Sequence, residues 1–236
     1  ELQALKLAAT LCSCPLQTAT IVIPVFVDTD ADGDEVLEHF EQAPRRQTER
    51  VLPMVEAVLA QSQLSLGQLD GIAFGHGPGA FTGVRVAAAV TQGLAFAADL
   101  PVIGVSTLAA CALSAQDTIP HRDVIAVFDA RMGEVYLGAY TCEGGVARTV
   151  FDDGLFHPDT LPSLPQKDWL IVGSGLVYRE ALCKAYGASR CEADVHPHAK
   201  AVAQLALSGF QRGEGVSAEQ AQPVYLRDQV IQGAVR

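Results

Sequence analysis

DGIAFGHGPGAFTGVRVAAAVTQGLAFAA, Asp70 to Ala98, sets an apolar strand, a glycine-rich turn and a long helix of small residues one after another. Ile72, Ala73 and Phe74 form a short apolar run, which Gly75, Gly77, Pro78 and Gly79 then interrupt. From about Ala80 to Ala98 the residues Val84, Ala87, Ala88, Leu94 and Ala95 recur at loose helical spacing. The small side chains of this helix let another backbone come close.

A glycine-rich turn that opens a helix can hold an anion, because the first backbone N–H groups are unpaired and the helix dipole favours negative charge there. On that reading Gly77, Gly79 and Thr82 are candidate nucleotide-binding positions. The same glycines suit a plain tight turn, where they admit positive φ and close packing. Two familiar phosphate motifs are not met. A Walker A loop requires Lys and then Ser or Thr after its last glycine, and Gly83 is followed by Val84 and Arg85. Gly75, Gly77 and Ala80 satisfy G-x-G-x-x-G/A in form, but that motif wants an acidic residue ending the next strand. Asp99 instead precedes that strand, Val102 to Val105.

The 236 residues are 49% hydrophobic and 18% charged, which predicts a well-buried globular chain of one large domain or two lobes. The net charge of −11 argues against a broad nucleic-acid footprint, which needs clustered Lys and Arg, and against adsorption to anionic membranes. Cys12, Cys14, Cys111, Cys142, Cys183 and Cys191 include no CxxC pair and are expected as reduced thiols. With no signal-peptide pattern and no uninterrupted apolar run of spanning length, a soluble cytoplasmic protein is expected.

Outward from the opening stretch, Leu16 to Val27 is β-branched, with Pro24 marking an edge strand or a break, and Asp28 to Asp34 reads as an acidic hairpin turn. An EF-hand is excluded there, because the twelfth loop position is His39. Val51, Leu52, Val55, Val58 and Leu59 predict an amphipathic helix over residues 47–63, kinked by Pro53. Ser106 is a candidate N-cap for an alanine-rich helix ending near Ala115. Val124 to Asp129 and Glu134 to Tyr140 predict two strands across a tight Arg131-Met132-Gly133 turn. Trp169 to Val172 predicts a strand, Ala199 to Arg212 a second amphipathic helix, and Pro223 to Asp228 an extended tail.

Catalytic chemistry is sparse. The six histidines include no HExxH, and His196 and His198, which straddle Pro197, fit a surface loop better than a metal site. Gly173-Ser174-Gly175 lacks the spacing of a nucleophile elbow. Asp129 and Glu134 could pair across their hairpin as acid and base, or simply be its polar ends. No metal and no cofactor is expected.

Several strings together resemble one family. Gly75-His76-Gly77-Pro78-Gly79-Ala80-Phe81-Thr82-Gly83-Val84-Arg85, Gln92-Gly93-Leu94-Ala95, Val105-Ser106-Thr107-Leu108, Asp129 to Tyr136 and Pro223 to Asp228 are similar to the bacterial TsaB (YeaZ) family. The resemblance implies an α/β chain of the two-lobed actin, Hsp70 and sugar-kinase type (the ASKHA fold), with mixed sheets flanked by helices. The lobes would be residues 1–103 and 104–236, the last segment packing back on the first lobe. It further implies a non-catalytic scaffold in the threonylcarbamoyladenosine modification of tRNA next to the anticodon. The implied partners are the catalytic subunit TsaD and the ATPase TsaE, with tRNA reached only through the complex and a homodimer formed when the chain is alone. The family pairs through its two N-lobe helices, so Arg50, Met54 and Ala57 with Gly83, Ala87, Ala88, Thr91 and Ala95 are the expected partner interface. One departure stands out: relatives begin with a strand running into Asp-Thr-Ser, and Leu5 to Val25 contains no such motif. An ATP-using enzyme of the same fold, a small kinase or ATPase, is the alternative reading.

Overall fold

The computed structural model describes residues 7–12, 20–22, 25–27, 35–37, 39, 41–42, 47–188 and 190–227. Asp28 to Asp34, Cys14 and Asp228 lie outside the described residues, as do the side chains before His39.

The first sheet is built from β1 (Leu7–Cys12), β2 (Thr20–Val22), β3 (Val25–Val27), β4 (Glu35–Leu37) and β5 (Glu41–Gln42). After α1 (Gln47–Gln61) come β6 (Gly71–Gly77), α2 (Phe81–Ala98) and β7 (Val102–Ser106). β1 lies between antiparallel β3 and parallel β6, and β6 pairs in parallel with β7. A parallel pair needs a crossover, and α2 supplies it. The alternation of a strand then explains the apolar run that opened the analysis. Ile72 and Phe74 face α1 and α2, while Ala73 faces α5 (Ala199–Gln211) on the other side of the sheet. With both faces covered, every position of the run is buried.

The expected strand of Ile72 to Phe74 is longer than its apolar core. It continues through Gly75 to Gly77, pairing Gly75 with Val105 and Gly77 with Ser106 across an irregularity in register. The predicted kink at Pro53 does not end α1, which runs unbroken to Gln61. Pro53 sits on the exposed side, where water reaches the backbone position whose hydrogen bond the ring removes. The stretch Leu16 to Val27 holds two strands, β2 and β3, as a break at Pro24 predicts, and β1, which the sequence reading had not separated, becomes a central strand.

The second sheet follows α3 (Thr107–Ser114), a helix whose every residue is buried. It contains β8 (Asp123–Arg131), β9 (Glu134–Glu143), β10 (Val146–Phe156), β11 (Leu170–Val172) and, after α4 (Arg179–Tyr186), β12 (Arg190–Glu192). Strand order is β10-β9-β8-β11-β12, antiparallel through the first three and parallel from β8 to β12. Val124, Ala126 and Phe128 face α3, and Ile125 and Val127 face a cluster with Trp169 and Leu182 of α4. Ser106 caps α3 as its sequence position predicts, accepting a hydrogen bond from the Ala109 amide at 3.1 Å. α5 then returns to lie on the first sheet, against β1, β6 and β7.

Candidate functional site

A cleft of about 470 Å³ opens where the two sheets meet. Pro78 to Phe81 and Val84 line it from the glycine turn and α2, Asp129 to Arg131 and Tyr136 from the β8–β9 hairpin, and Val224 to Arg227 from the tail. The strings scattered through the sequence thus converge in space.

Each wall is held by a specific constraint. Arg131, Met132 and Gly133 take φ of 64°, 56° and 80°, three successive left-handed residues at the tip of the hairpin. Asp129 is buried, accepts from the Arg131 amide at 2.8 Å and lies 3.5 Å from its guanidinium. The tail crosses both walls. The Val224 amide donates to the His76 carbonyl at 2.8 Å, and Tyr225 accepts from Arg85 Nε at 2.9 Å. The Arg85 guanidinium in turn lies 3.6 Å from the centre of the Phe81 ring. Arg227 donates to Glu134 Oε2 at 2.5 Å and to the Ala130 carbonyl at 3.1 Å. Asp129 and Glu134 are thus each engaged by an arginine, Arg131 and Arg227.

A polar knot lies behind the cleft. Ser106 Oγ donates to Asp153 Oδ2 at 2.5 Å, the Tyr140 hydroxyl donates to Asp153 Oδ1, and Thr107 Oγ1 donates to the Pro78 carbonyl. Burial pushes the Asp153 carboxyl above its ordinary range, opposed by the two hydroxyl donors. Burial and the neighbouring Asp153 raise the Tyr140 phenol further. Burial also holds the His76 imidazole down at about 4.

Of the candidate nucleotide positions, Gly79 lines the cleft, Thr82 is exposed on the first turn of α2 away from the lining, and Gly77 is buried under the tail. A side chain at Gly77 would place its Cβ 2.9 Å from the Val224 carbonyl oxygen, and the residue holds φ at 116°. That oxygen is an acceptor, so the covered turn offers an anion no approach at Gly77.

The expected interface residues separate in a way their spacing did not show. Gly83, Ala87, Ala88, Thr91 and Ala95 of α2 and Met54 of α1 are buried in this chain's own core, where the apolar members pack with Ile72, Phe74 and Val102. Arg50 is half-buried and Ala57 exposed. Small residues fit tight packing inside a lobe as well as between proteins, and helical periodicity alone does not tell the two faces apart. The outward side of α2 carries Ala89, Gly93, Ala97 and Phe96, the last 74% exposed. That of α1 carries Leu52, Glu56, Ala57 and Ala60. By length and composition α2 could also cross a membrane, but its inner face belongs to the core.

Among the described residues no three His, Cys, Asp or Glu groups converge as metal ligands. His196 lies 3.3 Å from Asp194, and the backbone amide of His198 donates to Ser114 Oγ at 3.0 Å.

The family model described as TsaD, tRNA N6-adenosine threonylcarbamoyltransferase, matches residues 39–234. The tRNA threonylcarbamoyladenosine biosynthesis protein TsaB of Escherichia coli is 38% identical over 220 residues, covering 91% of this chain and 94% of its own. The Haemophilus influenzae protein of the same name is 38% identical over 200 residues, 80% and 84% of the two chains. Among solved structures, YeaZ from Pseudomonas aeruginosa superposes with a TM-score of 0.85 at 38% identity, over 94% of this chain and 100% of that one.

Two outcomes follow from the geometry. Replacing Gly77 by Ala forces both a left-handed backbone and a clash with residue 224, and should cost about 1–3 kcal/mol in urea unfolding. For His76 the folded pKa lies below the unfolded 6.5, so the unfolded chain binds the proton more readily. Its contribution is complete above about pH 6.5 and is lost as pH falls toward 4, by up to roughly 3 kcal/mol. Unfolding curves measured across that window should show the loss, and His76→Gln should flatten it.

Proposed function

We infer the function from one premise: the chain belongs to the TsaB (YeaZ) family. It is the non-catalytic paralogue that pairs with TsaD in forming the threonylcarbamoyl modification of tRNA adenosine. The observation that carries this reading is the near end-to-end match to relatives named TsaB and to YeaZ structures. The family model named for the transferase spans the same fold, while the chain's cleft carboxylates are neutralised by arginines.

We place the docking of TsaD on the outward faces of α1 and α2. The exposed Leu52, Ala57, Ala60, Ala89, Gly93 and Phe96 support this, since they combine apolar area with room for close approach. In the absence of TsaD the same faces would bring two copies of this chain together. TsaE joins the assembled complex, and tRNA is engaged through that complex, because a chain of net charge −11 offers it little attraction by itself. The setting is the cytoplasm. We place the boundary between the lobes at the end of β7, a little past the 103/104 division, with α5 returning to the first lobe. The two separate sheets support that division.

An ATP-using enzyme of this fold gains no support from the cleft, where the tail occupies the glycine turn. The purified chain should show no threonylcarbamoyl transfer alone and should gain it with TsaD, TsaE and a source of threonylcarbamoyl-adenylate. Robust transfer by the isolated chain would overturn the assignment.

The interface is tested by two neighbouring substitutions. Ala89→Arg should leave the thermal transition within about 2 °C of the parent yet weaken TsaD binding at least about tenfold in calorimetry. Ala88→Arg drives a charge into the core and should destabilise the lobe itself by several kcal/mol, about 3 or more. Unchanged affinity in folded Ala89→Arg would remove α2 from the interface.

A further inference from the structure

Cys183, in the last turns of α4, and Cys191, in the edge strand β12, bring their sulfurs to 3.2 Å. Both side chains are partly exposed, whereas Cys111 and Cys142 are buried. A disulfide requires about 2.05 Å between sulfurs, so a modest sulfur displacement separates contact from bond. The connection between them is short and begins at Gly187 in the left-handed conformation, whose amide donates to the Cys183 carbonyl at 2.9 Å. Cys183 has no part in either the cleft or the outward faces of α1 and α2.

We propose that Cys183 and Cys191 form a reversible intramolecular disulfide, a modification site that fastens α4 to the edge of the second sheet. A peroxide is the oxidant. The Cys183 thiolate attacks one peroxide oxygen, breaking the O–O bond to give a sulfenic acid and hydroxide, which takes up the thiol proton as water. The Cys191 sulfur then attacks the Cys183 sulfur, the S–O bond breaks, and a second water leaves. Two thiols and one peroxide thus become one disulfide and two waters, and a dithiol reductant returns both protons and electrons.

The order of attack follows from surroundings. Burial and the adjacent Cys183 push the Cys191 thiol up to about 11, against the pull of Arg179. Cys191 is therefore the resolving partner. The bond would act beyond its own loop. The carbonyl of Glu192, next to Cys191, accepts from the Gly173 amide at 3.0 Å. Ser174, which follows, accepts from the Asp129 amide at 3.3 Å on the cleft wall.

The test uses the full chain, reduced, freed of reductant and titrated with hydrogen peroxide. After alkylation, peptide mass mapping should find the segments holding Cys183 and Cys191 joined with the loss of two hydrogens, and dithiothreitol should restore both thiols. Oxidation should raise the thermal midpoint by on the order of 5 °C, and Cys183→Ser and Cys191→Ser should each abolish the rise. Cys191→Ser should also leave a Cys183 sulfenic acid that dimedone captures. Both thiols remaining open to alkylation, or a cross-link mapping to other cysteines, would overturn the proposal. The mapping on the parent protein decides the matter even where a variant folds poorly.

Discussion

The passage of residue 224 over Gly77 is the constraint on which the cleft depends. The carbonyl oxygen of residue 224 lies 2.9 Å from where a Cβ at that position would stand, so the tail's close pass over the end of β6 suits a residue that has none. Once seated, the tail brings Tyr225 to Arg85 and Arg227 to Glu134, one contact on each side of the cleft. The glycine turn, the β8–β9 hairpin and residues 224–227 are thereby one structural unit. This accounts for a sequence feature that otherwise resembles a phosphate loop: the glycine makes room for an extended segment of the same molecule.

The two sheets solve one burial problem twice. Each central strand has both faces covered, β6 by α1 and α2 on one side and α5 on the other, β8 by α3 on one side and the cluster around Trp169 and Leu182 on the other. Short apolar strands and alanine-rich helices follow from this geometry, because small side chains keep three layers close. The outward sides of α1 and α2 stay exposed in this arrangement.

Much of this was legible in the residues. The strand-turn-helix of 70–98, the capping Ser106, the hairpin at Met132 and Gly133 and α5 were all marked by periodicity or by residues of special backbone freedom. β10 was missed although Gly144-Gly145, a strong hairpin signal, precedes it, because its apolar residues fall in adjacent pairs instead of alternating and none of its positions is buried. α4 and β12 were missed for shortness. Which small residues of α2 face the core was not legible: Ala88 and Ala89 look alike in sequence, and only the position of β6 decides which one faces inward. No pattern within 223–227 announced that Arg227 would reach a glutamate 93 residues away.

Ser106 ends the last strand of the first sheet, caps the helix that leads to the second sheet, and touches Asp153 and Tyr140 of that sheet. In two-lobed folds, the crossover between lobes is where a hinge would turn. Here that crossover is riveted by hydroxyl–carboxyl contacts in a partly buried place, where breaking one gives up a hydrogen bond to a largely desolvated carboxyl. Rotation about it is therefore opposed at its own axis. The molecule is built less as a jaw than as a bracket, holding a fixed angle for whatever is mounted on it.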